Sequence, residues 1–84
     1  MNKENIKALI KETYKSLKAE EGRVLSDLWL NDNVFGDLSK NVEGKNLIKE
    51  SMVELIDEGF ITEGENGLGL YSIILTKKGF EEIK

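Results

Sequence analysis

Neither cysteine nor histidine occurs among the 84 residues of this sequence. The first absence removes any disulfide framework, and the two together rule out the usual zinc sites and nucleophile–base pairs. Long apolar runs are missing too: none approaches the roughly 20 residues that a membrane span needs. The amino terminus, Met1-Asn2-Lys3-Glu4-Asn5, lacks the hydrophobic stretch of a secretory signal. A cytoplasmic location is therefore expected, with no membrane contact. Aromatic residues amount to only 7%, yet apolar residues reach 39% and charged ones 33%, enough apolar material for one modest core and too much for a typical disordered chain. The length leaves no room for a second core, so a single domain over residues 1–84 is expected.

Positive charge is also in deficit, with 12 Lys and Arg against 16 Asp and Glu and a net charge of −4. Its distribution is uneven. Residues 1–23 hold six basic and four acidic groups, residues 24–63 hold three and nine, and residues 64–84 hold three of each. Phosphate repels such a chain unless its cations gather on one face.

One such gathering is legible in the first periodic segment. Ile6, Leu9, Ile10, Tyr14 and Leu17 recur with helical spacing, which predicts helix one over about Lys3 to Glu20, stopped by Gly22. Beside that stripe, Lys3, Lys7, Lys11, Lys15 and Lys18 form a ridge, either a solvated face or a contact for phosphate or an acidic partner. In Arg23-Val24-Leu25-Ser26-Asp27-Leu28-Trp29-Leu30 a short β-prone pair precedes Ser26, an N-cap candidate for a short second helix on which Leu25, Leu28 and Trp29 share a face. Trp29 could stack on a ligand or base, although a Trp among leucines more often belongs to the core. Residues 31–46 read as a loop that can hold one further turn or short helix.

The third helix is the clearest. Ile48, Met52, Leu55 and Ile56 make its buried stripe, supported by Leu47 and Ser51, and Gly59 ends it. Asn46, Lys49, Glu50, Val53, Glu54 and Asp57 occupy its outer face. Phe60 to Glu63 and Leu70 to Leu75 then read as strands. Between them Asn66-Gly67 is a tight-turn signal. The glycines of that connection make no phosphate cradle, because no lysine or helix start follows them. Thr76 caps a last turn, Lys77 to Ile83, with Phe80 and Ile83 inward.

The expected fold class is thus α+β and mostly α: a three-helix core, a C-terminal β-hairpin and a short terminal helix. Leu55-Ile56-Asp57-Glu58-Gly59-Phe60-Ile61-Thr62 and Tyr71-Ser72-Ile73-Ile74-Leu75-Thr76-Lys77-Lys78-Gly79 resemble the winged-helix (winged helix-turn-helix) superfamily. They look most like small bacterial regulators of the multiple-antibiotic-resistance and phenolic-acid-repressor types, whose third helix ends in a similar pattern and whose wing closes with Leu-Thr-x-x-Gly. Residues 31–46 are longer than that family's usual connection.

The resemblance implies transcription regulation by a dimer that sets helix three, about residues 45–58, in the major groove of duplex DNA. Lys45, Asn46 and Lys49 would then meet DNA, assisted by Lys77 and Lys78 or by the lysine ridge. Glu50, Glu54 and Asp57 on the same outer face, and Glu63 and Glu65 in the wing, point to an alternative. In it an acidic helix-three face docks a basic protein partner, and the domain acts as an adaptor or as a phage-like or host-factor-binding protein. Catalysis is not expected: the carboxylates lie on solvated helix faces with no His, Cys or glycine-to-lysine motif to complete a site. No cofactor or metal is implied.

Overall fold

Asn2 starts the first helix of the computed structural model, which describes residues 2–65 and 71–84. Its side chain accepts from Asn5 N (2.9 Å) while the Asn5 side chain accepts from Asn2 N (3.1 Å), so two amides that a helix start leaves unpaired are satisfied reciprocally. The helix, α1 (Lys3–Ser16), buries Ile6, Ile10 and Tyr14 completely, with Leu9 and Leu17 packed at the margin. Its end departs from the expected stop at Gly22. Lys18 adopts φ 52°, Ala19 N donates to Tyr14 O (3.0 Å) and Lys18 N donates to Lys15 O (3.0 Å). This is the paired closure that normally carries glycine at the left-handed residue. Lysine pays a steric penalty there that glycine does not, so Lys18→Gly is expected to raise the unfolding free energy by about 0.5–1 kcal/mol. A urea midpoint that stays level or falls would count against it.

Gly22 serves the sheet instead. Its amide donates to Leu75 O (2.8 Å), and Leu75 N donates to Arg23 O (3.0 Å), extending the pairing of β1 (Val24–Ser26) with β3 (Tyr71–Leu75). The strand β2 (Ile61–Glu65) pairs with the other edge of β3, giving an antiparallel sheet in the order β1-β3-β2. The expected Asn66-Gly67 turn and Leu70 lie outside the described residues.

Ser26 caps α2 (Asp27–Leu30) as its spacing predicted, accepting from Trp29 N (3.1 Å). The inward face differs from the expected one: Leu28 is 54% exposed while Leu30 is fully buried. One helical turn beginning at Asp27 directs its fourth residue, not its second, toward the core. Trp29 is half-buried against that core. Residues 31–40, expected as a loop with room for one turn or short helix, form two successive helical turns. A π turn (Asn31–Phe35) continues α2 and buries Phe35, and a 3₁₀ turn (Gly36–Lys40) follows. Gly36, at φ 53° and ψ −127°, permits the change of direction between them.

Asn41 then opens α3 (Val42–Asp57), accepting from Gly44 N (2.7 Å), so the helix starts earlier than the expected residue 45. Ile48, Met52, Leu55 and Ser51 face inward as predicted. The Ser51 hydroxyl donates to Leu47 O (2.7 Å), satisfying a polar group that is fully buried. At the carboxyl end Gly59 takes φ 82°, and Phe60 turns back under α1, edge-on to Tyr14 with ring centroids 6.1 Å apart. The buried Tyr14 hydroxyl donates to Ile73 O (3.3 Å), and burial pushes its pKa well above the ordinary phenol range. Thr76 caps α4 (Lys77–Ile83) by accepting from Gly79 N (3.0 Å). The described residues form a small α+β fold, mostly helical, with helices packed on one antiparallel sheet. No helix among them is long and apolar enough to cross a membrane.

Candidate functional site

Two faces of α3 have opposite electrostatic fates. On the side turned to α1, Glu54 reaches Lys3 (2.8 Å) and Lys7 (3.3 Å), and Glu58 also reaches Lys7. Lys7 is only 9% exposed, and Glu4 stands 3.5 Å away as a third carboxylate. Burial disfavours a bare ammonium, but the hydrogen bond to Glu58 outweighs that and holds the Lys7 pKa above its usual value. Lys3 is likewise raised, chiefly by its bond to Glu54, and Glu54 is held below the usual carboxylate range by Lys3 and then Lys7.

The lysine ridge of α1 is therefore largely consumed within the molecule. Lys11 pairs with Glu82 (2.8 Å) and lies 5.2 Å over the Phe60 ring. Lys15 and Lys18 stay exposed. Glu54, expected beside Glu50 and Asp57 on the outer face, belongs to this inner cluster, because long side chains lean toward the neighbouring helix that carries the opposite charge. The spacing of α1 and α3 alone could not reveal the pairing, which joins positions 47 and 51 residues apart.

A pH signature follows. A glutamate whose folded pKa is lowered adds stability fully above its unfolded value, about 4.3, and loses it as pH falls through the folded one. Lysines with raised folded pKa values add stability below about 10.4 and lose it as pH rises further. The urea midpoint is thus expected to hold between these limits and to fall on both sides. Glu54→Gln should flatten the acid limb, and an acid limb identical to that of the unsubstituted protein would refute this role for Glu54.

The other face of α3 carries Lys45, Asn46, Lys49, Glu50, Val53 and Asp57, all exposed. Neither Lys45 nor Lys49 has a carboxylate within salt-bridge distance among the described residues. Lys78, expected to join them, donates to Glu58 O (2.7 Å) at the far end of α3, about 20 Å along the axis from Lys45 at 1.5 Å per residue. Lys77, at the start of α4, is exposed. The cations grouped by the sequence reading thus fall into a cluster at the beginning of α3 and a separate pair beyond its end.

Sequence reasoning did not find the groove that runs beside this face, with a volume of about 490 Å³. Ile48, Met52, Val53 and Ile56 form its apolar floor. Asp27, Asn31 and Ser39 line it from the α2 side and Glu63 from β2, with Lys45 and Lys49 also bordering it. Val53 stands 49% exposed within it. One buried oxygen, Asp27 Oδ1, finds no hydrogen-bond donor among the described residues. The residues come from four separated segments, so only the i, i+4 row Ile48, Met52, Ile56 could have signalled it, and that row reads as core. No family model, curated protein or solved structure matches this chain.

Proposed function

We propose that the chain is a small winged-helix DNA-binding protein, a transcriptional regulator acting as a dimer, which lays the first half of α3 in the major groove and the β2–β3 hairpin along the backbone. The observation that carries this reading is the division of charge on α3. Glu54 and Glu58 are committed to Lys3 and Lys7, leaving Lys45, Asn46 and Lys49 exposed at the helix start. Lysine serves phosphate as a point charge and asparagine can read an adenine edge. The order of elements and the β1-β3-β2 sheet suit that fold. Glu50, Asp57 and Glu63 require the helix to enter by its amino-terminal end, with its carboxyl end tilted away from phosphate. Pairing of two copies would double the local cations that a net charge of −4 conceals.

A second reading is favoured by one observation, the exposed Val53 between Glu50 and Asp57: an adaptor whose acidic, partly apolar helix face docks a basic protein. The two readings separate in an electrophoretic shift with random duplex DNA at about 50 mM salt, where phosphate contacts are strongest. A DNA binder shifts, and Glu50→Lys with Asp57→Lys tightens the shift by removing repulsion. Absence of any shift, before and after those substitutions, sinks the DNA reading and leaves the adaptor.

A further inference from the structure

We propose that the groove between α2, α3 and β2 is a binding site for a small amphipathic amine, whose apolar body lies on Ile48, Met52, Val53 and Ile56 and whose protonated nitrogen donates to Asp27. The volume, about 490 Å³, falls in the range of small-molecule sites, which are mostly apolar with a few polar groups that fix orientation. Here the apolar groups are contiguous along α3, and the two carboxylates face them from α2 (Asp27) and β2 (Glu63). Ser26 and Gly64 both register on Ser72 of β3, so Asp27, which opens α2 just after β1, and Glu63 of β2 are held near each other at the border of the groove.

The charge that selects the ligand is Asp27. Its Oδ1 is withdrawn from solvent without a donor among the described residues, and leaving such an acceptor unmatched is costly. Asp27 lines the groove, and because the terminal torsion of aspartate is broad, a small rotation would turn its carboxylate toward a ligand there. Lys45 and Lys49 also border the groove, but they are exposed and their charge is screened by water and salt, whereas the Asp27 oxygen is withdrawn from solvent. A protonated amine satisfies Asp27 and is further favoured by Glu63 at the border. No bond is made or broken, and the site does not depend on DNA binding.

The test is an amide NMR titration of the full chain at neutral pH, without DNA, using three probes with one apolar body: 4-phenylbutylamine, 4-phenylbutanol and 4-phenylbutanoate. Saturable shifts confined to the groove, residues 27–31, 39, 45–56 and 63, are expected, with the amine binding about tenfold tighter than the alcohol, the size of a charge-assisted hydrogen bond. Asp27→Asn should bring amine and alcohol within about twofold of each other, by that same estimate. Val53→Trp, at an exposed position, should fill the groove and abolish binding of all three while the spectrum stays dispersed. The proposal is overturned if the alcohol matches the amine in the unsubstituted protein, if the butanoate binds tightest and so assigns the groove to anions, or if no probe gives saturable shifts there. Because DNA is absent from the titration, such a failure leaves the DNA reading untouched.

Discussion

Gly44→Ala is expected to lower the unfolding free energy by about 3 kcal/mol, although alanine is the better helix former by about 1 kcal/mol. A Cβ at position 44 would stand 1.8 Å from Leu38 O and 2.8 Å from Leu38 C. Both are backbone atoms, so no side-chain rotation relieves the clash. Either the 3₁₀ turn must back away from α3 or the first turn of α3 must unwind, and with it the cap that Asn41 supplies through Gly44 N. Urea unfolding followed by circular dichroism measures the loss. A midpoint equal to that of the unsubstituted protein would mean that α3 and the 3₁₀ turn do not approach as described. Because Lys45 and Lys49 follow directly on this turn, the same substitution is expected to weaken whatever those lysines bind.

Duplex DNA affinity, under the proposed function, is expected to fall about 100-fold when Lys45 and Lys49 are both replaced by alanine, with the slope of log affinity against log salt shallower by about 2. Each lysine contributes one phosphate contact and releases about one counterion, so the loss should be uniform across sequences. Both side chains are exposed and unpaired among the described residues, so the melting temperature should not move. Asn46→Ala should behave differently, relaxing preference among sequences while leaving the salt slope unchanged, because a neutral amide reads a base edge and releases no counterion. If the double alanine variant binds as tightly as the original, or loses affinity only by losing stability, the first half of α3 is not the DNA contact.

What could be foreseen from the sequence depended on whether local chemistry decided the outcome. The buried row of α3, its stop at Gly59, the strands on either side of the hairpin and the Thr76 cap all follow from periodicity and short-range hydrogen bonding. Residues 31–40 escaped detection for a definite reason. A π turn and a 3₁₀ turn advance by different angles per residue than an α-helix, so Val34, Phe35 and Leu38 match no single period even though Phe35 is 6% exposed. The end of α1 was hidden because Lys18, a residue with no preference for positive φ, takes the position that glycine normally marks. At the candidate site, the exposure of Lys45, Asn46 and Lys49 was readable from helical spacing. The fate of the lysine ridge was not, since it depends on α1 and α3 lying side by side. The groove needed still more, the meeting of α2, α3 and β2.

The Lys7 cluster carries a practical corollary for where the protein can be cut. Helix α1 contributes an internal counter-ion as well as apolar surface, and the ammonium groups that neutralise Glu54 and Glu58 lie within the first seven residues. Trimming those residues, for example to shorten the terminus before crystallisation, would leave a patch of uncompensated carboxylates along α3. A shortened protein that failed to bind an acidic polymer would then report on the deletion itself and not on the surface left behind.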